Sequence, residues 1–388
     1  MPGDEKPPKR LRGVLGIALS LASLAVLVFI AVMLITGRGD VFRRIGGFFF
    51  SRKAAEEVDE YYFETGRSRV FANLDGYVAS AGTLGIQVFD SGGNETLRES
   101  FRMESPAIDA ANGRALAFDV GGTALRAFSA EEVTASIETD SLIVSASINE
   151  NGWFCVCIQN DGGYKGVVTA YNNLGKEVYK LRVASGYVLS AVLSPDNKMM
   201  AVLTLVDGGS RIAYYDLSST TPAGSYDFYN GLILEIFYLP GGDLFAVASE
   251  SLIIIDKRYA GTEIYSFTGR RLGGYSVNSG VVALYLLDFG VGYGGRLVTL
   301  DGDGQLLGVL ATDSEIVSIS SCEGYLAVLK SDMAILYDSG LYEIPREETP
   351  AVISGANHIL GLGGGAALAA GDHSAVVIRS GENYGTSN

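Results

Sequence analysis

The residues able to do chemistry are few. Only two histidines occur, His358 and His373, so a His-rich metal site is excluded. Asp372-His373-Ser374 holds the letters of a hydrolytic triad, but a triad needs side chains converging from separate elements. The three cysteines are Cys155, Cys157 and Cys322, an odd and low count that argues against a disulfide framework. Cys155 and Cys157 are spaced to share one strand face with Trp153, while Phe154, Val156 and Ile158 take the other. That pattern describes a strand buried on both sides, with its thiols acting as small apolar groups.

Two glycine motifs invite a ligand reading and do not sustain it. Gly290-Val291-Gly292-Tyr293-Gly294-Gly295 satisfies the dinucleotide spacing, yet it runs into Arg296-Leu297-Val298-Thr299-Leu300, a strand. The dinucleotide loop must open a helix whose N-terminus faces the pyrophosphate, so this is a hairpin loop. Gly361 to Gly365 is a second glycine-rich turn of the same kind. Asp301-Gly302-Asp303-Gly304 begins like a calcium loop, but Thr312 stands where the bidentate glutamate belongs. No catalytic, cofactor-binding or metal-ligating residue is therefore expected, and no cofactor. Carboxylates are the exception to this scarcity. Beyond residue 53 the chain carries 41 acidic against 20 basic side chains. Two acids about 5–10 Å apart, one with a raised pKa, suffice for glycosidase chemistry, and so many acids make such a pair easy to find.

The elements that position these residues are short strands. The chain is rich in Gly, with 50, and poor in Pro, with 9. A polar turn recurs between an alternating strand and an apolar one. The instances are Asp75-Gly76, Asn112-Gly113, Asn151-Gly152, Asp196-Asn197, Gly241-Gly242, Ser279-Gly280, Glu323-Gly324 and Asn357-His358, spaced 34 to 45 positions apart. Asn and Gly tolerate the positive φ of tight hairpins. A second turn follows in most units, where a strand ends on an acid or amide: Asp90, Asn172, Asp216, Asp256, Asp301 and Asp338. Such a side chain closes an Asx-type turn on the backbone ahead of it. Four hairpin-linked strands repeated every 40 or so residues are propeller blades. Eight units are expected over residues 60–380, with seven blades and one irregular insertion as the alternative. The eighth, Pro350 to Ser380, has room for three strands, and Glu60 to Thr65 supplies the fourth by pairing the chain ends. The tail, 381–388, is polar.

The Ser194-Pro195-Asp196-Asn197-Lys198 turn resembles that of TolB-like and WD40-like propellers, and the acid-ended third strand resembles quinoprotein-like repeats. Quinone-cofactor propellers, however, place a Trp and an adjacent Cys pair at the cofactor, and here the single Trp153 lies in a core strand with no Cys-Cys. Fold does not carry activity.

Residues 14–36 contain the uncharged run Val14–Ile35, about 33 Å as a helix and long enough to cross a bilayer. It is too long for a signal peptide and lacks a small-x-small exit, so a retained anchor is expected. Residues 1–13 form a basic tail and 37–59 a juxtamembrane stalk. Lys and Arg number four before the run and five after it, which leaves orientation to the reluctance of a short basic tail to cross. The propeller is then extracytoplasmic. Anchor, stalk and degenerate propeller together resemble an uncharacterised family of single-pass membrane propellers from Gram-positive bacteria.

The expected function is a binding or scaffold module for a protein or cell-envelope ligand, without catalysis. A carboxylate-dependent lyase or glycosidase in the central channel, or an extracellular sensor, is the alternative. The acidity of the domain opposes nucleic acid as a partner.

Overall fold

A meander of four short strands exposes two apolar faces and is stable only when both are covered, which neighbouring copies can do. The chain solves the problem in this way. The computed structural model describes residues 60–381 except 160–161, 220, 279–280, 291–293, 323, 332, 346–354 and 373. The expected basic tail, anchor and stalk lie outside the described residues, among which no helix is long and apolar enough to cross a membrane.

The first strand, β1 (Glu60–Tyr62), stands apart from the order that follows. Blade one is β2 (Val70–Leu74), β3 (Tyr77–Gly82), β4 (Gly85–Phe89) and β5 (Glu95–Ser100). Blade two is β6 (Pro106–Ala111), β7 (Arg114–Asp119), β8 (Ala124–Ser129) and β9 (Val133–Glu138). Blade three is β10 (Ile143–Ile148), β11 (Phe154–Ile158), β12 (Gly166–Tyr171) and β13 (Glu177–Val183). Blade four is β14 (Tyr187–Leu193), β15 (Met199–Val206), β16 (Gly209–Asp216) and β17 (Pro222–Phe228). Blade five is β18 (Ile233–Tyr238), β19 (Leu244–Ala248), β20 (Ser251–Ile255) and β21 (Gly261–Ser266). Blade six is β22 (Arg270–Asn278), β23 (Val281–Asp288), β24 (Gly295–Asp301) and β25 (Leu306–Thr312). Blade seven is β26 (Ile316–Cys322), β27 (Tyr325–Lys330) and β28 (Ala334–Asp338), and blade eight is β29 (His358–Gly363), β30 (Ala366–Ala370) and β31 (Ser374–Arg379).

Every sheet is an antiparallel meander, and β1 pairs with β31 as the outer strand of blade eight. The ring therefore closes as expected, by joining the two ends of the domain. Blade seven has three strands, followed by an isolated bridge between Tyr337 and Glu343.

Burial explains the strand composition. β11 and β19 are buried along their whole length, because each second strand is covered on both faces by adjoining blades. Outer strands alternate instead, as β13 does, since one face meets water. Eight apolar clusters fill the eight interfaces between blades. Cys155 and Cys157 pack with Met200 and Val202 in the interface of blades three and four. Phe154 and Val156, on the opposite face of the same strand, pack with Leu116 and Phe118 of blade two. Burying a Phe or Leu of this kind contributes about 1.5–3 kcal/mol. At the closure, Tyr61 and Phe63 pack with Val78, Phe89, Leu368 and Val377.

One expected turn is misplaced. Asn357-His358 is not the inner hairpin of blade eight, because His358 begins β29. The hairpin lies at Gly364-Gly365, both with positive φ, within the run that the sequence offered as a separate turn. Two consecutive glycines meet the need for two left-handed residues without the polar residue used elsewhere.

Candidate functional site

The ends of the strands define two faces with different chemistry. The turn face carries the hairpins between first and second strands and those between third and fourth. The connection face carries the hairpins between second and third strands and the links from one blade to the next.

On the turn face, side chains are consumed by the fold. Asp256 Oδ1 accepts the N–H groups of Arg258 and Ala260, and Asp301 Oδ1 those of Asp303 and Gln305. Asn172 and Asp338 repeat the arrangement. The fourth residue of each turn is left-handed: Gly175, Tyr259, Gly304 and Leu341. The supposed calcium loop is thus one copy of a repeated Asx turn, and its first carboxylate already binds backbone N–H groups. The inner-hairpin asparagines also join neighbouring blades, and of those named next only Asn112 has positive φ. Asn112, Asn149 and Asn151 donate from Nδ2 to Glu150 O, Ser194 O and Pro195 O respectively, tying each hairpin to that of the following blade.

The connection face is apolar at its tips. Leu84, Val120, Tyr164, Phe289 and Met333 are exposed on hairpins between second and third strands, and Leu205 near the end of β15 just before one. Leu142, Tyr187, Leu232, Leu234 and Val317 are exposed where inner strands begin. Tyr187 is 58% exposed and Phe289 69%. Among the described residues the turn face has only Leu174 and Tyr342 of this kind in its turns; Tyr229 lies in a link on the connection face and the remainder on outer strands.

Between the faces runs the axial channel, lined by the inner strands. Their backbones are joined by small hydroxyls: Ser145 Oγ donates to Leu189 O, and Ser320 Oγ accepts from Gly361 N–H. A bulge early in the inner strand sets the register in blades three to seven, and the residue just after it is Ser145, Ser190, Glu235, Gly274 or Ser318. Glu235 thus puts a carboxylate where the other blades place a hydroxyl or nothing, and it is exposed. The hydroxyl of Ser190, one blade earlier, is buried without a partner among the described residues.

Asp109, on β6, is half-buried and accepts the Ile148 N–H at 2.8 Å. Burial pushes its pKa up to about 6, the Ile148 hydrogen bond opposes this, and the Glu235 carboxylate adds to the rise. Blades two and five are three places apart in the ring of eight. Burial, followed by the charge of Glu235 and a hydrogen bond to it, also raises the Tyr275 phenol. Two inner strands three blades apart thus carry a carboxylate each, Asp109 on β6 and Glu235 on β18, and Glu235 has Tyr275 of the next blade beside it.

Sequence reasoning missed Asp109 and Glu235. The signal was present: Ile143-Val144-Ser145, Val188-Leu189-Ser190 and Ile316-Val317-Ser318 align with Ile233-Leu234-Glu235. The residues weighed and set aside fall elsewhere. Cys155 and Cys157 are in the core, where burial raises both thiols, Cys157 to about 12. His358 packs its ring 5.9 Å from that of Phe71, and burial lowers its pKa. His373 lies outside the described residues. Among the described residues no group of His, Cys, Asp and Glu is placed to hold a metal ion. A flank groove of about 320 Å³ between blades three and four includes Arg211, but its guanidinium is paired with both oxygens of Asp227.

Ring closure and blade order define an eight-bladed β-propeller. The chain belongs to the family described as "Family of unknown function (DUF5711)", which matches residues 52–341. Comparison with curated proteins gives no match. Among solved structures the chain is similar to BamB from Moraxella catarrhalis, with 15% identity and a TM-score of 0.52 over 84% of this chain and 98% of that one. It is also similar to Sqt1 of Saccharomyces cerevisiae, with 11% identity and a TM-score of 0.59 over 84% of this chain and 100% of that one. The C-terminal WD40 domain of Sif2 gives 12% identity and a TM-score of 0.55 over 84% and 96%. At such identities the likeness concerns the fold alone.

Proposed function

We propose that this protein is a membrane-anchored, extracytoplasmic binding module that holds a protein or cell-envelope ligand on its connection face, without catalysis. The observation that carries the reading is the sorting of exposed apolar side chains. Leu84, Phe289, Tyr187 and Leu234 crowd one face, while the turns of the other are occupied by Asx hydrogen bonds. Exposed apolar clusters rimmed by polar groups mark interaction surfaces. A photo-crosslinking residue at Phe289 is expected to trap a discrete adduct in intact cells, and the same residue at Leu174 is not. Adducts at both positions or at neither would reject the face assignment. The uncharged run of residues 14–36 supports the anchor. Because all three native thiols are buried, a Cys at Asp303 would be the reactive one. Its labelling in whole cells by a membrane-impermeant maleimide tests the orientation.

Asp109 favours a second reading, acid–base chemistry on a polymer entering the channel, since burial raises its pKa to about 6 and the charge of Glu235 adds to the rise. Release of reducing ends from envelope polysaccharide, lost in Asp109→Asn, would support it. The absence of turnover with intact binding leaves the first reading standing.

A further inference from the structure

The outer strand of a blade presents an unpaired backbone edge to solvent, and such edges are ordinarily guarded by charge or proline. Most outer strands here follow the rule. They expose Glu60 on β1, Arg98 on β5, Glu138 on β9, Lys180 on β13, Asp227 on β17 and Glu263 on β21. The exception is β25, Leu-Leu-Gly-Val-Leu-Ala-Thr, which has neither charge nor proline and ends the strand order of its sheet. Leu306 is 56% exposed and Val309 50%, and Leu307 is exposed as well. Gly308 and Leu310 lean on blade seven instead, where the Gly340 carbonyl leaves no room for a Cβ at Gly308. No described strand pairs with the outer edge of β25. An uncharged edge with exposed apolar side chains is a template for another extended chain.

Charge selects among the chains that could pair there. Asp301 and Asp303 precede the strand, Asp313 and Glu315 follow it, and no Lys or Arg occurs between Arg296 and Lys330. Arg296, opposite Ala311 in the register of β24, lies 3.8 Å from Asp288, which also takes Arg270 at 2.8 Å. Arg258, in the equivalent turn of blade five, is paired with Asp256. A second copy of the chain fits this edge badly. Antiparallel self-pairing centred on Val309 sets Asp303 against Glu315 at both ends, and like charges directly opposite are destabilising. The acidity of the whole domain adds to that repulsion.

We infer that β25 receives, by strand addition, an extended segment of a partner protein whose apolar centre is flanked at both ends by Lys or Arg. The segment adds a fifth strand to blade six. Its backbone pairs with the open edge, and its apolar side chains cover Leu306 and Val309. Its cations meet Asp303 at one end and Asp313 and Glu315 at the other. The site lies on the flank of the ring and does not depend on the connection face being a docking face.

The test uses the full chain in nanodiscs of zwitterionic lipid, with empty nanodiscs as the control. The probe is the synthetic peptide Lys-Arg-Val-Thr-Val-Ile-Val-Arg-Lys, blocked at both ends and carrying a fluorophore. Fluorescence polarisation is expected to show saturable binding that weakens as salt is added. Hydrogen exchange should gain protection within Leu306–Thr312 when the peptide binds. Val309→Lys puts a cation on an exposed edge position and should lower affinity at least about tenfold, with circular dichroism showing that the variant is folded. A peptide with Glu in place of each Lys and Arg should bind at least about tenfold more weakly. Absence of saturable binding overturns the inference. So do protection confined to residues outside β25, unchanged affinity in Val309→Lys, and equal binding of the Glu-flanked peptide. If the wild-type chain forms a dimer that Val309→Lys dissolves and the peptide does not disturb, the edge belongs to a second copy and the inference is likewise overturned.

Discussion

At Asp109 the protein tolerates a carboxylate that folding itself opposes. Its pKa is raised from the usual carboxylate value to about 6, so between about pH 4 and 6 the folded chain binds more protons than the unfolded one. Stability from this group is therefore present at low pH and is lost as pH rises through that window. Asp109→Asn keeps an oxygen for the Ile148 N–H and removes the charge. Thermal denaturation is expected to show a gain of about 1–2 kcal/mol at pH 8 and none at pH 4. Glu235→Ser removes a lesser contribution to that rise and restores the hydroxyl of the repeat. It should only slightly lessen the wild-type fall in stability over the same range, because burial is the main cause, as followed by urea midpoints at several pH values. That these two residues escaped sequence reading has a physical cause. Their interest lies in burial and in charges brought from other blades, and a linear chain shows only that one acid interrupts a serine pattern.

Turns were the most legible elements because their chemistry is local. Asp90, Asp216 and Asp256 announce an Asx turn whatever surrounds them, and each accepts the backbone N–H groups expected. Asp256→Ala is expected to cost about 1 kcal/mol in chemical denaturation, the net worth of lost hydrogen bonds. The left-handed fourth position is less uniform. Leu341 sits there at φ 65 and is 7% exposed, packed between blades six and seven. Leu341→Gly relieves about 1 kcal/mol of backbone strain but leaves a cavity costing about 2–5 kcal/mol, so net destabilisation is expected. Where two turns competed for one place, sequence reading chose wrongly. Gly361 to Gly365 was read as a turn, but the inner hairpin of blade eight was assigned to Asn357-His358, and it lies at Gly364-Gly365. The asparagines of the other inner hairpins were credited only with backbone tolerance, since their bonds to the next blade depend on blades already being side by side.

For the whole molecule the decisive interface is the closure of the ring. Phe63 is 5% exposed, with its ring 5.1 Å from Phe71 and 5.4 Å from Phe89. Phe63→Ala is expected to cost about 3–5 kcal/mol and to remove amide protection in hydrogen exchange first from Ser374–Arg379, the partner of β1. Fold class, blade number and the pairing of Glu60 to Thr65 with the last blade followed from a count of repeats and the rule that sheet edges are covered. The apolar tips of the connection face did not follow, because exposure of Leu84 or Phe289 is set by which end of a strand a hairpin occupies. That polarity exists only once the meanders are arranged about an axis.

The pairing of Glu60–Tyr62 with Ser374–Val376 also orders events in time. During synthesis β1 leaves the ribosome before any blade exists and cannot find its partner until β31 has been added, after all the other strands of the ring. Seven blades must therefore assemble as an open stack, with one apolar flank at each end, before the circle is completed. Contacts between such distant residues slow folding and lengthen the exposure of unpaired edges. The nascent chain, rather than the finished ring, is thus the species most in need of protection.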